Sequence, residues 1–480
     1  MAGATASALA QQPGWQHLNL QHDGVFGVST TRAYRELLKG KRATTVIVGI
    51  LDTGVDTTQE DLRSVLWRDP KTGTHGWNYI GPETGREDVT QLVDWERKGL
   101  DRDTVHNSRL TQLGGAFLQS LGGVSGQLAG KQERLKGLIA DLQQTQTVVD
   151  TIVGRIGKTN PTVADFKSYQ TRNEEESTVV GRIVQRLRRY PNWSAYRTTE
   201  VTGVIARAQY HLTHGLNIEN LEPDTASGDA DVNPDILGPA RSTNESAHGT
   251  HVAGIIAAVR NNGIGMDGIA DHVQILAVKD NGPFRELRDT NLAKAIRFAV
   301  DHGAKVLNLS FGKMYSWNKG AVDAAVKYAM QKDVLIVHGA GNDGRDLDPD
   351  IVFPNPTYAD HSGTAAGWLE VGASTWKNNE TLVAQFSNYG KEKVDVFAPG
   401  VQIYSTLPEN RYESWDGTSM AAPVVTGIAA LIREYYPKLT APQVKEIIVK
   451  SAVRTPYLTD KCRSGGVVNA YEALKLAAQY

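Results

Sequence analysis

Apolar positions follow two kinds of pattern along this chain. Val46-Ile47-Val48-Gly49-Ile50-Leu51 is a continuous apolar run followed by a turn-rich stretch, the mark of a buried strand that opens an α/β unit. Similar short runs lie at Val273 to Val278, Lys305 to Leu309, Val334 to Val337 and Leu369 to Gly372. They alternate with helical periodicity over Asp289 to Asp301 and Lys319 to Met330. Strands with no polar face that alternate with helices predict a parallel sheet covered by helices on both sides. From Met420 to Ala477 the pattern predicts helices broken at Pro437 and around Pro456.

Between about Leu100 and Asp224 the character changes to charged and Gln-rich. Leu121, Leu128, Leu135, Leu142, Val149 and Ile156 recur every seven residues and predict a helix with one apolar seam. Lys131 and Thr145 interrupt the companion row that a full coiled coil needs. Asn160-Pro161 is expected to break this helix. A second helix carries Val179, Val180, Ile183, Val184 and Leu187 on one side and ends near Tyr190-Pro191. Its start holds Glu174-Glu175-Glu176, where negative charge suits the helix dipole. Together they read as an antiparallel hairpin inserted into an α/β domain. The organisation expected is an N-terminal segment (1–43), a first part of the domain (44–100), a helical insertion (101–230) and a second part (231–480). The hairpin's charges read as a solvated face; its functional option is a lid or arm that contacts substrate or another chain.

The length of 480 residues suits one large domain with additions, or two to three domains. With 51 basic and 53 acidic side chains, nothing points to a nucleic-acid or polybasic membrane partner. Cys462 is the single cysteine, which excludes an intrachain disulfide and a Cys-based zinc or iron–sulfur site. It reads as a small buried or half-buried side chain. No apolar run approaches the roughly 18–20 residues that cross a bilayer. Ala8-Leu9-Ala10 has the form of a signal-peptidase site, without a basic n-region or a full h-region. Residues 1–10 therefore read as an export-signal remnant or as a plain disordered terminus. The expected location is secreted or periplasmic, with cytoplasm as the alternative.

In open parallel sheets, functional groups gather at the carboxyl ends of the strands. Asp52, Ser310 and Asn342 stand at or just beyond such ends. His248 precedes the small-residue helix Val252 to Ala258, and Ser419 opens another helix, in whose first turn Pro423 is expected to be tolerated. Taken singly, an Asp after a strand is a turn former, a Ser before a helix an N-cap, and Asn342 beside Gly341 a left-handed turn. Taken together, they supply a complete chemistry. A serine hydroxyl attacks a carbonyl only if a neutral imidazole takes its proton, and a buried carboxylate orients that ring and stabilises its charged form. The Asn342 amide and the Ser419 backbone N–H can then hold the developing oxyanion.

The blocks Asp-Thr-Gly (52–54), His-Gly-Thr-His-Val-Ala-Gly (248–254), Gly-Asn (341–342) and Gly-Thr-Ser-Met-Ala-Ala-Pro (417–423) resemble, in order, the four signatures of the subtilisin-like serine proteases, the subtilase family. The resemblance spans roughly residues 44–81 and 245 to the C-terminus. It implies a subtilisin-like α/β fold, a parallel sheet with helices on both faces, interrupted by a large, mostly helical insertion. It also implies a serine endopeptidase with Asp52, His248 and Ser419 as its triad and Asn342 in its oxyanion hole. It selects His248 over His251, which becomes a structural residue beside the active-site helix. Leu309-Ser310-Phe311-Gly312 looks like the strand on which the family docks an extended protein or peptide substrate. Ser310, Phe311, Gly312, Gly339 and Ala340 are the implied substrate contacts, Ser310 through its backbone.

Arg260-Asn261-Asn262-Gly263-Ile264-Gly265 looks like the family's calcium loop, with Asp61 and Asn262 as candidate ligands of a structural calcium. The alternative is a calcium-free turn closed by its own hydrogen bonds. The chemistry itself is expected to need no cofactor. Gly263-x-Gly265-x-x-Gly268 matches the dinucleotide fingerprint in letters only, since it follows a helix and not a strand. Asp224, Asp229, Asp231 and Asp235 have no EF-hand spacing and read as a solvated linker.

Three departures from the family stand out. Asp52 and His248 are 196 residues apart, only some 40 residues precede the first strand in place of a folding-assisting propeptide, and residues 343–348 are charged where a specificity pocket is expected nearby. The preferred P1 residue and the route of maturation therefore stay open. Two rival functions remain at this level: a catalytically silent binding protein on the same fold, and an esterase or acyl transferase using the same triad.

Overall fold

The computed structural model describes residues 13–79, 133, 136–137, 139–141, 143–187, 193–197, 246–281, 287–313, 316, 318–350 and 352–480. The chain divides into two compact units. One comprises Met1–Gly85, Ser227–Pro283 and Leu287–Tyr480, the other Arg86–Ala226 with Phe284–Glu286.

In the first unit, chain order gives strands β1 (Val46–Asp52), β2 (Gly76–Asn78), β3 (Val273–Lys279), β4 (Val306–Leu309), β5 (Leu335–Gly339), β6 (Trp368–Ser374) and β7 (Val396–Pro399). A hairpin of β8 (Ile403–Leu407) and β9 (Arg411–Trp415) follows, then β10 (Val453–Arg454) and β11 (Gly466–Val467). The helices are α1 (Ala247–Ala257), α2 (Asp289–Asp301), α3 (Lys319–Gln331), α4 (Thr418–Tyr435), α5 (Ala441–Lys450) and α6 (Ala470–Ala477). Nine strands form one sheet in the order β10-β11-β7-β6-β5-β4-β1-β3-β2. Every neighbouring pair is parallel except β10 with β11.

The central strands are parallel and covered on both faces, as their apolar runs predict. One cluster joins the sheet to α1, α4, α5 and α6, and another joins it to α2 and α3. The chain passes from β1 to β3 on one side and then returns to place β4 on the other side of β1. This reversal makes the β1–β4 boundary a topological switch point, where a crevice opens at the carboxyl ends. Leu51 pairs with Leu309, so Asp52 and Ser310, one residue further on, stand side by side on strands about 4.8 Å apart.

Several elements were not legible in advance. The stretch around Pro456 carries β10, a 3-10 turn over Pro456–Leu458 and β11. Strands expected to show no polar face bury Asn308, His338 and Glu370 within them. Residues from Trp15 onward pack into the sheet domain: Trp15, Val25 and Val28 join the main core, and Phe26 N–H bonds the Trp376 carbonyl. Cys462 is fully buried. Among the described residues, no helix is long and apolar enough to cross a membrane.

The second unit has its own small core of Val149, Ile152, Phe166, Val179, Ile183, Leu187, Trp193 and Tyr196. The first helix ends at Ile156, not at Asn160-Pro161, because Gly157 takes the left-handed conformation (φ 70°) that closes a helix. An additional short helix, Val163–Ser168, is capped reciprocally by Thr162 and Asp165. The last long helix, Glu174–Arg186, has Asn173 as its N-cap and three glutamates in its first turn. Leu121, Leu128, Leu135 and Leu142 of the seam lie outside the described residues, as do residues 1–12, Tyr190-Pro191 and Asp224 to Asp235.

Candidate active site

β1 delivers Asp52 to the switch-point crevice, 1% exposed. Its Oδ1 accepts from Thr53 N–H and from His248 Nδ1, each at 2.7 Å. His248 is the second residue of α1; its side chain is one-third exposed and turns Nδ1 to Asp52. The close approach depends on Gly249: a Cβ there would lie 2.1 Å from the Gly54 carbonyl oxygen. Burial opposes charge on His248, but the Asp52 charge and hydrogen bond outweigh it and raise its pKa above the ordinary value.

Ser419 is the second residue of α4 and half-buried. Its Oγ donates to the Ser310 carbonyl at 2.9 Å, and Ser310 Oγ donates back to the Ser419 carbonyl at 2.9 Å. The second bond has a clear cause. Pro423 lies in the second turn of α4, not in the first as expected, so it cannot donate to the carbonyl four residues before it, which is that of Ser419. The Ser310 hydroxyl takes the place of the missing donor. Ser310 thus contributes its side chain as well as its backbone.

Asn342 Oδ1 accepts from Thr418 N–H at 2.9 Å and Thr418 Oγ at 3.0 Å, which fixes which end of the amide faces outward. Gly417 leaves a small space beside it. A Cβ there would lie 3.5 Å from Ser419 N and 3.7 Å from Asn342 Nδ2, so two N–H donors border one opening at a helix N-terminus.

The substrate residues divide. Gly312 is exposed and Phe311 half-buried, on the segment that continues β4. Gly339 and Ala340, the other two expected contacts, are buried. Ala340 N–H bonds the Val371 carbonyl, its own carbonyl accepts from Asn388 Nδ2, and Gly339 backs onto the Thr418 carbonyl. These two support the Gly341-Asn342 turn from beneath. His251 is fully buried, stacked on Trp415 at 4.6 Å, with Nε2 donating to the Glu413 carbonyl. Burial drives its pKa down to about 3, which keeps it neutral.

Three buried groups near the site went unread in the sequence. His338 and Glu370 are paired across β5 and β6 and bond at 2.8 Å, while His338 Nε2 reaches the Phe311 carbonyl at 2.6 Å. Both ring nitrogens face oxygen atoms, so the ring ties the Phe311 backbone to the Glu370 side chain. Asp280, just past β3, donates its N–H to the Asp52 carbonyl. Burial, with the Asp52 charge second, pushes its carboxyl well above the usual range. The only sequence signal was a polar letter at or just beyond an apolar run.

Asp61 and Asn262 do meet, but as a self-closed turn. Asp61 accepts from Asn262 Nδ2 at 2.6 Å and Met266 N–H at 3.2 Å, and Asn262 Oδ1 accepts from Ile264 N–H at 2.9 Å.

A family model described as the subtilase family matches residues 43–471. Alkaline elastase YaB of Bacillus sp. (strain YaB) is 34% identical over 274 residues, 57% of this chain and 63% of that protein. Subtilisin BL of Lederbergia lenta is 32% identical over 274 residues, 57% of this chain and 88% of that protein. Thermitase of Thermoactinomyces vulgaris is 37% identical over 232 residues, 48% of this chain and 76% of that protein. The chain thus spans less than two thirds of the elastase's length.

Proposed function

The chain belongs to the subtilase family, and from that premise we propose that it is a serine endopeptidase acting through an acyl-enzyme on Ser419. The observation that carries this reading is the 2.7 Å Asp52–His248 bond, set one strand away from the Ser310–Ser419 pair.

Substrate docks extended along Ser310, Phe311 and Gly312 by backbone pairing. A peptide N–H that takes the Ser310 carbonyl displaces the Ser419 hydroxyl bonded there, and the freed hydroxyl turns to His248 Nε2. Such bonds commonly tighten only once substrate is present. His248 takes the proton as Oγ attacks the scissile carbonyl, and Asp52 stabilises the resulting imidazolium. Ser419 N–H and Asn342 Nδ2 receive the oxyanion. His248 returns the proton to the leaving amine, and water hydrolyses the acyl-enzyme by the same path in reverse. The steps draw on no cofactor.

A catalytically silent binding role is disfavoured by retention of the whole set, including Asn342. A fluorophosphonate probe should label the wild type and leave Ser419→Ala unlabelled, with peptide cleavage lost in parallel. Equal labelling of both chains would sink the assignment. Product analysis with a peptide and a competing amine separates hydrolysis from acyl transfer.

A further inference from the structure

At the amino ends of β1 and β3, opposite the active site, Asp271, His272 and Glu434 converge, with one ligand atom of each within 4.8 Å of the others. Glu434 is the penultimate residue of α4 and 1% exposed. Its Oε1 accepts from His272 N–H at 3.2 Å, while Oε2 is buried beside the Asp271 carboxyl with no N–H donor on it. The backbone around it is firmly held. The Glu434 carbonyl accepts from Thr44 N–H at 2.9 Å and Thr44 Oγ at 3.0 Å, and Val46 N–H bonds the His272 carbonyl at 2.9 Å. A carboxylate taken out of water is costly unless it is paired or bound to a cation. Arg260, nearby, is already engaged by the Gly268 carbonyl, by Asp267 at 3.5 Å and by the Tyr34 ring at 4.1 Å. The Tyr34 hydroxyl donates to the Ile269 carbonyl.

We propose that Asp271, His272 and Glu434 bind a divalent transition-metal cation, zinc foremost, which pins the end of α4 to the starts of β1 and β3. One imidazole nitrogen with two carboxylate oxygens suits zinc better than calcium or magnesium, and three protein ligands leave a fourth position to water. Tetrahedral ligands at about 2.0–2.2 Å from the metal lie roughly 3.3–3.6 Å from one another. The 2.9 Å between Asp271 and His272 opens, and the wider spacings, none above 4.8 Å, close to that with movements of about 1 Å in Asp271 and His272, whose side chains are 29% and 48% exposed. Asp271 Oδ1 lies 2.9 Å from His272 Nδ1, so Nδ1 is the ring atom on the same side as the carboxylates and the one placed to turn to the metal. Unlike the Asp61–Asn262 turn, this cluster offers an acceptor that no donor has claimed. The site is independent of the peptidase chemistry and of its assignment.

The test uses the full chain carrying Ser419→Ala, stripped with chelator and then melted with and without zinc. At 100 times its Kd, zinc should raise Tm by about 4 °C. Adding His272→Ala, a change at an exposed side chain, should abolish the rise and remove one zinc per chain in equilibrium dialysis. Glu434→Gln should abolish it too. In an otherwise wild-type chain, His272→Ala should leave peptide cleavage unchanged. No zinc-dependent rise in the parent, an equal rise in either variant, or an equal rise with calcium would overturn the proposal. If Asp271 and Glu434 merely share a proton, Glu434→Gln raises the metal-free Tm and zinc shifts neither chain, which also overturns it.

Discussion

Replacing Ser310 with alanine should reveal how the nucleophile's helix tolerates Pro423. The Ser419 carbonyl has no helical donor because position 423 lacks an N–H, and Ser310 Oγ supplies one at 2.9 Å. The same oxygen accepts from Asn308 Nδ2 at 2.8 Å. Ser310 is 4% exposed, so Ser310→Ala leaves an acceptor and a donor unsatisfied out of reach of bulk water. At about 1 kcal/mol for each neutral bond, with the stranded partners adding to it, the loss comes to about 2–3 kcal/mol. Pro423→Ala restores an N–H aimed at the Ser419 carbonyl. In that background, Ser310→Ala should cost about 1 kcal/mol less. The four chains of the cycle, all carrying Ser419→Ala so that self-digestion does not intervene, are compared by guanidinium unfolding at equal m. Costs that add to within about 0.3 kcal/mol would refute the reasoning, because the two changes would then not share a carbonyl.

Two further outcomes follow from the catalytic geometry. Burial alone would lower the His248 pKa, and Asp52 raises it above 6.5. The acid limb of kcat/KM should therefore lie above pH 6.5 and fall below it in Asp52→Asn, with a rate loss on the order of 10⁴-fold. A limb that stays put contradicts the pairing. Because the folded pKa is raised, the pair's contribution to stability is complete below pH 6.5 and fades as pH rises through the folded value, so the stability gap to Asp52→Asn should narrow in that direction. Asn342→Ala should lower kcat by about 10²–10³ with KM nearly constant, the size associated with losing one oxyanion donor in subtilisin. A change confined to KM would move Asn342 to ground-state binding.

The central strands were legible because burial on both faces leaves an unbroken apolar run, and Asp52 and Ser310 were legible as the polar letters that end such runs. His338 and Glu370 were not, since their partnership exists only through the β5–β6 register, which no local pattern encodes. The 3-10 turn and short strands after α5 escaped because two-residue strands have no periodicity to read. The burial of Gly339 and Ala340 was not legible either: adjacency to Asn342 along the chain says nothing about which side of the turn meets solvent. Pro423 was assigned to the wrong turn because the helix starts at Thr418, and this slip concealed the role of the Ser310 hydroxyl.

The bonds that define the site each span a long stretch of chain: 196 residues for His248 with Asp52, 109 for Ser419 with Ser310 and 76 for Thr418 with Asn342. Contacts of such separation form late in folding, after the loops between them have been closed. A growing polypeptide therefore carries Asp52 and His248 long before α4 exists to meet them. The juxtaposition of Asp52, His248 and Ser419 is thus among the last features the fold acquires, and synthesis of the chain proceeds with that site unassembled.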